Sequence, residues 1–217
     1  MVRREQIVQW LRVSAGVMEE NRETLTKLDA ALGDADHGIN MDRGFKKVVA
    51  MLDSKPAGDI GALLKQAGMT LISSVGGASG PLYGTFFMRA GMAVAGKETL
   101  ETDDLAALLE EGCRGVMERG RAQAGEKTMV DALLPAARAL EEAARKGLDT
   151  TDAAGSAARE ACRGAKETIP LIARKGRASY LGDRSKGHQD PGATSSCLII
   201  KALHDVLAAH SPALQKG

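Results

Sequence analysis

Apolar residues recur at helical spacing along nearly the whole chain, and that period excludes most architectures. Phe45, Val48, Val49 and Leu52 sit at i, i+3, i+4 and i+7. Ile60, Leu63, Leu64, Ala67 and Leu71 repeat the pattern, as do Leu105, Leu108, Leu109, Gly112 and Val116. Leu133, Ala136, Ala137 and Leu140 form a further face, closed by Gly147 as a C′ glycine. Residues 4–30 carry Ile7, Leu11, Met18, Leu25 and Leu28 among charges. An Ala-rich segment starts near Thr151 and stops at Pro170, and a last one runs through Leu198, Ile199, Ala202, Leu203 and Val206 before Pro212. With the stretch from Phe86 to Val94, this predicts about eight helices, one of them N-capped by Thr102. No alternating strand pattern exceeds four residues.

The helix faces are unusually small. Aromatic residues make up 3% of the chain, whereas glycine supplies 25 of 217 residues. Ala- and Gly-rich faces let helix axes approach closely, so an all-α bundle or barrel can form without large side chains. Residues 1–217 read as one domain, with no internal repeat or low-complexity linker. The net charge of +1, from 29 Lys+Arg against 28 Asp+Glu, offers no basic excess for nucleic acid or a membrane surface. No signal peptide or membrane span is read. Cys113, Cys162 and Cys197 lie far apart, which predicts neither a disulfide framework nor a metal knuckle and favours a reducing compartment.

Function concentrates in the connections 29–40, 73–85, 120–129 and 173–194, all rich in Gly, Asp, Ser, His or Pro. The first holds Asp29, Asp34 and Asp36, and with Asp42 just beyond it four carboxylates lie between Lys27 and Arg43 with no Lys or Arg among them. Crowded carboxylates need a counter-ion, and all-oxygen ligands select a hard cation such as Mg²⁺. The same residues would also serve as an Asx-turn run that ends one helix and caps the next. His37 reads as a hydrogen-bonding loop residue, since imidazole rarely binds Mg²⁺. In the second connection, Ser73 to Pro81 combines glycines with a following helix N-terminus, which can be an ordinary helix–helix turn or a phosphate cradle. Two near-misses to a P-loop fail. Gly91 to Lys97 is followed by Glu98, Gly120 to Gly125 reaches Lys127 one residue late, and neither follows a strand.

Taken together, these stretches resemble a known family. Gly33-Asp34-Ala35-Asp36-His37-Gly38-Ile39-Asn40-Met41, Gly76 to Thr85, Lys127 to Leu133, Gly176 to Gly182 and Gly187 to Ser195 are similar, in order and spacing, to the nucleotide-binding L subunit of dihydroxyacetone kinase. The resemblance implies a barrel of about eight antiparallel helices with a nucleotide at one end. It implies that Asp29, Asp34 and Asp36 bind two Mg²⁺ ions. It places His37, Gly38, Ile39, Asn40, Ala78 and Ser79 at the phosphates, and Gly120, Met129, Arg177, Asp190, Pro191 and Gly192 around the adenosine of ADP.

The implied reaction is phosphoryl transfer to dihydroxyacetone, which asks for positioning and charge neutralisation rather than a catalytic triad. A separate K subunit would hold the ketone, and a phosphohistidine protein of the phosphotransferase system would recharge the ADP, all in the cytoplasm. Two alternatives stay open: a subunit of an ATP-dependent triose or tetrulose kinase, and a nucleotide-loaded regulator of a transcription factor. His204 and His210 receive no role.

Overall fold

A computed structural model of the chain describes residues 1–54 and 58–210. Among these residues it is helical almost throughout. A short antiparallel pair, β1 (Val2–Arg3) and β2 (Thr99–Leu100), accompanies nine α-helices. These are α1 (Arg4–Glu20), α2 (Arg22–Leu32), α3 (His37–Asp53), α4 (Ile60–Ser74), α5 (Ser79–Ala93), α6 (Thr102–Gly120), α7 (Val130–Arg145), α8 (Thr150–Glu167) and α9 (Pro191–Ala209). A 3-10 helix (Arg177–Ser185) lies between α8 and α9.

Several boundaries differ from the sequence reading. Residues 4–30 form two helices because Asn21 ends the first: its backbone N–H and its side-chain amide both donate to the Val17 carbonyl, at 3.0 and 2.9 Å. Glu101, not Thr102, caps α6; the Glu101 N–H donates to Asp104 at 3.0 Å, and Thr102 is the first helical residue. α5 begins at Ser79, well before Phe86, because a proline in the first turn costs no helical hydrogen bond. α8 starts at Thr150, where Asp149 accepts from the N–H groups of Thr151 and Asp152, both at 2.9 Å. α9 ends at Ala209, ahead of Pro212 as expected; Pro212 itself lies outside the described residues.

Each helix packs on a neighbour in sequence. α1 and α2 both rest on α3, α3 on α4, and so on to α9, which packs back on α1. Glycine sets the closest approaches. A Cβ at Gly61 would lie 2.5 Å from the Gly91 carbonyl oxygen, and one at Gly68 would lie 2.6 Å from that of Gly84. α4 and α5 therefore meet backbone to backbone along a shared stripe. α8 meets α7 in the same way, at Gly164 against Asp131. The few aromatics are gathered centrally: Phe87 lies 5.6 Å from Trp10, 6.3 Å from Phe45 and 5.2 Å from Phe86, centroid to centroid. The Trp10 indole N–H donates to the Ile199 carbonyl at 2.8 Å and ties α1 to α9.

The cysteine expectation is corrected. Packing of α8 on α9 brings Cys162 and Cys197 to a Cα separation of 4.8 Å, and they form a disulfide. Residues 35 apart in sequence are scattered only along the chain, and the argument for a reducing compartment loses its basis. Cys113 is free and buried.

The close contacts make a direct prediction. A Cβ at Gly164 would lie 2.0 Å from the Asp131 carbonyl oxygen, whereas one at Gly16 meets nothing within 4 Å. Gly164→Ala is expected to cost about 1–3 kcal/mol through overpacking. Gly16→Ala, in an open helix position, is expected to gain about 0.5–1 kcal/mol. Urea titrations of the two variants against wild type check both signs.

Candidate functional site

Four helices begin at one cavity. The capping residues Asp36 of α3, Ala78 of α5, Met129 of α7 and Asp190 of α9 all line a cavity of about 590 Å³. The ends of α2 and α6, at Leu32 and Gly120, enter beside them. Helix N-termini present free N–H groups and partial positive charge, so four together favour an anion. Part of the wall is apolar: Leu82, Val116, Ala122, Met129 and Pro191. Backbone strain gathers here as well. Among the described residues, positive φ outside glycine occurs only at Ala35 (61°), Arg121 (47°) and Lys127 (60°), in the acidic loop and the α6–α7 loop.

The acidic loop is confined to residues 33–36, which forces its carboxylates together. Oxygens of Asp29, Asp34 and Asp36 lie within 4.8 Å of one another. Asp29 is buried, and its Oδ2 accepts from the N–H groups of Asp36 (2.8 Å) and His37 (3.0 Å). Its Oδ1 has space because residue 33 is glycine; a Cβ there would lie 2.4 Å away. Three oxygen donors around one opening fit a hard divalent cation. Asp42 does not join them. It turns to Lys46 at 3.0 Å and Arg22 at 3.9 Å.

Behind the loop runs a buried hydrogen-bonded chain. His37 Nδ1 is 3.0 Å from Ser79 Oγ, and Nε2 is 2.9 Å from Ser195 Oγ. The Tyr83 hydroxyl is 2.6 Å from Ser195 Oγ and donates to the Gly192 carbonyl at 3.0 Å. Burial lowers the His37 pKa against the opposing pull of Asp29 and Asp36, and burial raises that of Tyr83. A neutral imidazole donating to one serine and accepting from the other locks the starts of α3, α5 and α9 together.

The remaining wall comes from the α6–α7 and α8–α9 connections. Arg177, in the 3-10 helix, reaches across to Asp34 at 3.1 Å. Asp190 caps α9 by accepting from the Ala193 N–H at 2.7 Å. Burial pushes its carboxyl up to about 7, with Asp131 and Asp29 adding to the rise and the Ala193 N–H and Lys127 opposing it. Lys127, the lysine of the failed P-loop reading, turns inward to backbone carbonyls of Thr168 and His188.

Asp29, Asp34, Asp36, His37, Ala78, Ser79, Gly120, Met129, Arg177, Asp190, Pro191 and Gly192 thus share one cavity. Gly38, Ile39 and Asn40 do not line it. Gly38 lets α3 approach α2, since a Cβ would lie 2.0 Å from the Arg22 carbonyl oxygen. Ile39 is 52% exposed, and Asn40 accepts from Arg43 at 2.7 Å. Gly38 and Ile39 still contribute first-turn N–H groups, which lack partners within a helix. Sequence reading missed Tyr83, Lys127 and Ser195, although all three lie inside the motifs quoted for the resemblance.

The DAK2 domain family matches residues 31–205. The chain belongs to that family. It is 48% identical over 200 residues to the ADP-binding subunit DhaL of the PEP-dependent dihydroxyacetone kinase of Escherichia coli, covering 92% of this chain and 95% of that one. It is 43% identical to the ADP-binding subunit DhaL of PEP-dependent dihydroxyacetone kinase 2 of Listeria innocua, covering 89% and 90%. Among solved structures it resembles the dihydroxyacetone kinase from C. freundii in complex with AMP-PNP and Mg²⁺, with 26% identity and a TM-score of 0.69. That match covers 90% of this DAK2 chain, which spans about a third of the larger kinase, 33% of its length.

Asp190 provides a pH test of the site. Its folded pKa, about 7, lies above the unfolded carboxylate value of about 3.9, so the folded state binds its proton more tightly. That contribution is complete below about pH 4 and is lost as pH rises through 7. The melting temperature of wild type minus that of Asp190→Asn should therefore shift in favour of wild type on going from pH 8 to pH 5. A flat difference would show that the carboxylate stays ionised.

Proposed function

We propose that the chain is the ADP-binding subunit of a phosphoenolpyruvate-dependent dihydroxyacetone kinase. The observation that carries this reading is the single cavity that joins four helix N-termini to the cluster Asp29, Asp34 and Asp36. Helix N-termini suit phosphates, carboxylates suit the cation that accompanies them, and the apolar wall suits a base. The ADP-binding subunits of E. coli and L. innocua support ADP, and the C. freundii kinase solved with AMP-PNP and Mg²⁺ supports the cation. The finer reading is a one-domain helical barrel, closed by the α9–α1 contact, with two Mg²⁺ ions at the three aspartates. Its place would be the cytoplasm. No described helix is long and apolar enough to cross a membrane.

When bound, Mg²⁺ supplies charge neutralisation to the phosphate oxygens. Asp29 is held for that task by two backbone N–H groups, so it meets a cation in one fixed orientation. His37 orients the Ser79 hydroxyl toward the phosphate end. Arg177 pairs with Asp34 across the cavity and can turn its guanidinium to the ligand. Met129, Gly120 and the Asp190–Gly192 turn would enclose the adenosine. A separate K subunit would present dihydroxyacetone at the open mouth, and a phosphohistidine protein would use the same mouth to restore the phosphoryl group.

Purification followed by denaturation tests the reading, because such a subunit should release ADP. Given ATP and dihydroxyacetone alone, it should show no turnover. An empty chain that turns over ATP would instead support the ATP-dependent triose or tetrulose kinase.

Asp34→Asn separates metal binding from turn structure. Wild type should gain about 4 kcal/mol at a thousandfold excess of Mg·ADP over Kd, and the variant should lose most of that gain. In EDTA without nucleotide the two should agree within about 1 kcal/mol, since the partly exposed Arg177 pair is all the variant loses. Melting curves under both conditions decide it; an equal drop in both would make Asp34 a structural turn residue.

A further inference from the structure

Lys127 lines the cavity, yet the nucleotide reading gives its charge no role. It is 1% exposed and holds its backbone at φ 60°. Its ammonium donates to the Thr168 carbonyl at 2.6 Å, to that of Ile169 at 3.5 Å and, in a short contact, to that of His188. Thr168 and Ile169 follow the last turn of α8, where carbonyls lack helical partners and a cation is favoured. His188 lies two residues before the cap of α9. One ammonium therefore joins the α6–α7 loop, the end of α8 and the approach to α9.

Weaker links follow the same seam. The Arg174 N–H donates to the Glu126 carbonyl at 3.0 Å, Gly187 to that of Ile169 at 2.8 Å, and the Asp190 N–H to Thr168 Oγ1 at 2.9 Å. These bonds bring Met129, the segment leading to Arg177, and the Asp190–Gly192 turn into one frame. Burial of an ammonium opposes its charge and lowers the Lys127 pKa. Loops can be joined by neutral groups without that cost, whereas a caged ammonium sets three carbonyls at once, and its removal takes a charge-assisted hydrogen bond from each.

We propose that Lys127 is a positioning residue for the nucleoside end of the cavity, acting through the three segments its ammonium joins. The proposal rests on the nucleotide reading above. The acidic loop and the α3 and α5 N-termini lie on other segments, linked to this frame through the Arg177–Asp34 pair and the His37–Ser195 bond, so the phosphate end should depend on it less.

Calorimetric titration of wild type, Lys127→Met and Lys127→Gln with Mg·ADP and with Mg·pyrophosphate tests this. Lys127→Met should lose about tenfold or more in Mg·ADP affinity, the scale of one charge-assisted bond, while Mg·pyrophosphate affinity changes less than about twofold. Lys127→Gln keeps two donors and should fall between. If Lys127→Met does not fold, the same split in Lys127→Gln carries the proposal. Equal losses for both ligands, or no loss in a folded variant, would overturn it. So would failure of both variants to fold, because the lysine would then serve the fold as a whole. Wild type that binds pyrophosphate but not ADP would overturn the nucleotide reading itself, and the proposal with it.

Discussion

Backbone-to-backbone contact between helices is the constraint on which the rest of this structure depends. At Gly61 and Gly68, α4 and α5 meet with no side chain between them, and at Gly164 α8 rests on the start of α7. Such approaches leave little interior to fill, which is why four aromatic rings gathered at Phe87 suffice for the centre. They also bring helix ends close enough for α3, α5, α7 and α9 to open on one cavity. Gly164 shows both effects at once. It touches Asp131, whose carboxylate accepts from the Thr128 N–H at 2.8 Å and so shapes the loop that carries Lys127 and Met129.

The site balances two opposite charges. Four helix N-termini make it positive, whereas Asp29, Asp34 and Asp36 make it negative. The two sets meet at the start of α3, where Asp29 accepts from the Asp36 and His37 N–H groups; the other three N-termini belong to separate helices. An anion that brings its own cations satisfies both sets together. Arg177 already lends Asp34 one positive partner from the opposite wall.

The local features were legible in the sequence. Helical period located the helices because it survives any packing. The acidic cluster could be read because Asp29, Asp34 and Asp36 are close along the chain. Boundaries at Asn21 and Glu101 escaped because a cap depends on one side chain's competition with the backbone. Gly38, Ile39 and Asn40 form a block in the motif, yet a helix turns successive residues by about 100°, so one faces α2 and the next faces solvent. His37 and Ser195 are 158 residues apart, and Lys127 binds carbonyls 41 and 61 residues away. Pairings of that range, like the bond between Cys162 and Cys197, exist only once the helices are stacked.

The indole bond of Trp10 has a spectroscopic meaning. Trp10 is the single tryptophan of the chain, fully buried, and fixed to Ile199 where the last helix returns to the first. Its fluorescence is therefore a local gauge of that seam. Emission from this indole reports whether the two ends of the helical succession remain joined. It lies outside the set of residues lining the cavity, so it gives a background on which ligand-induced change at the mouth can be measured separately.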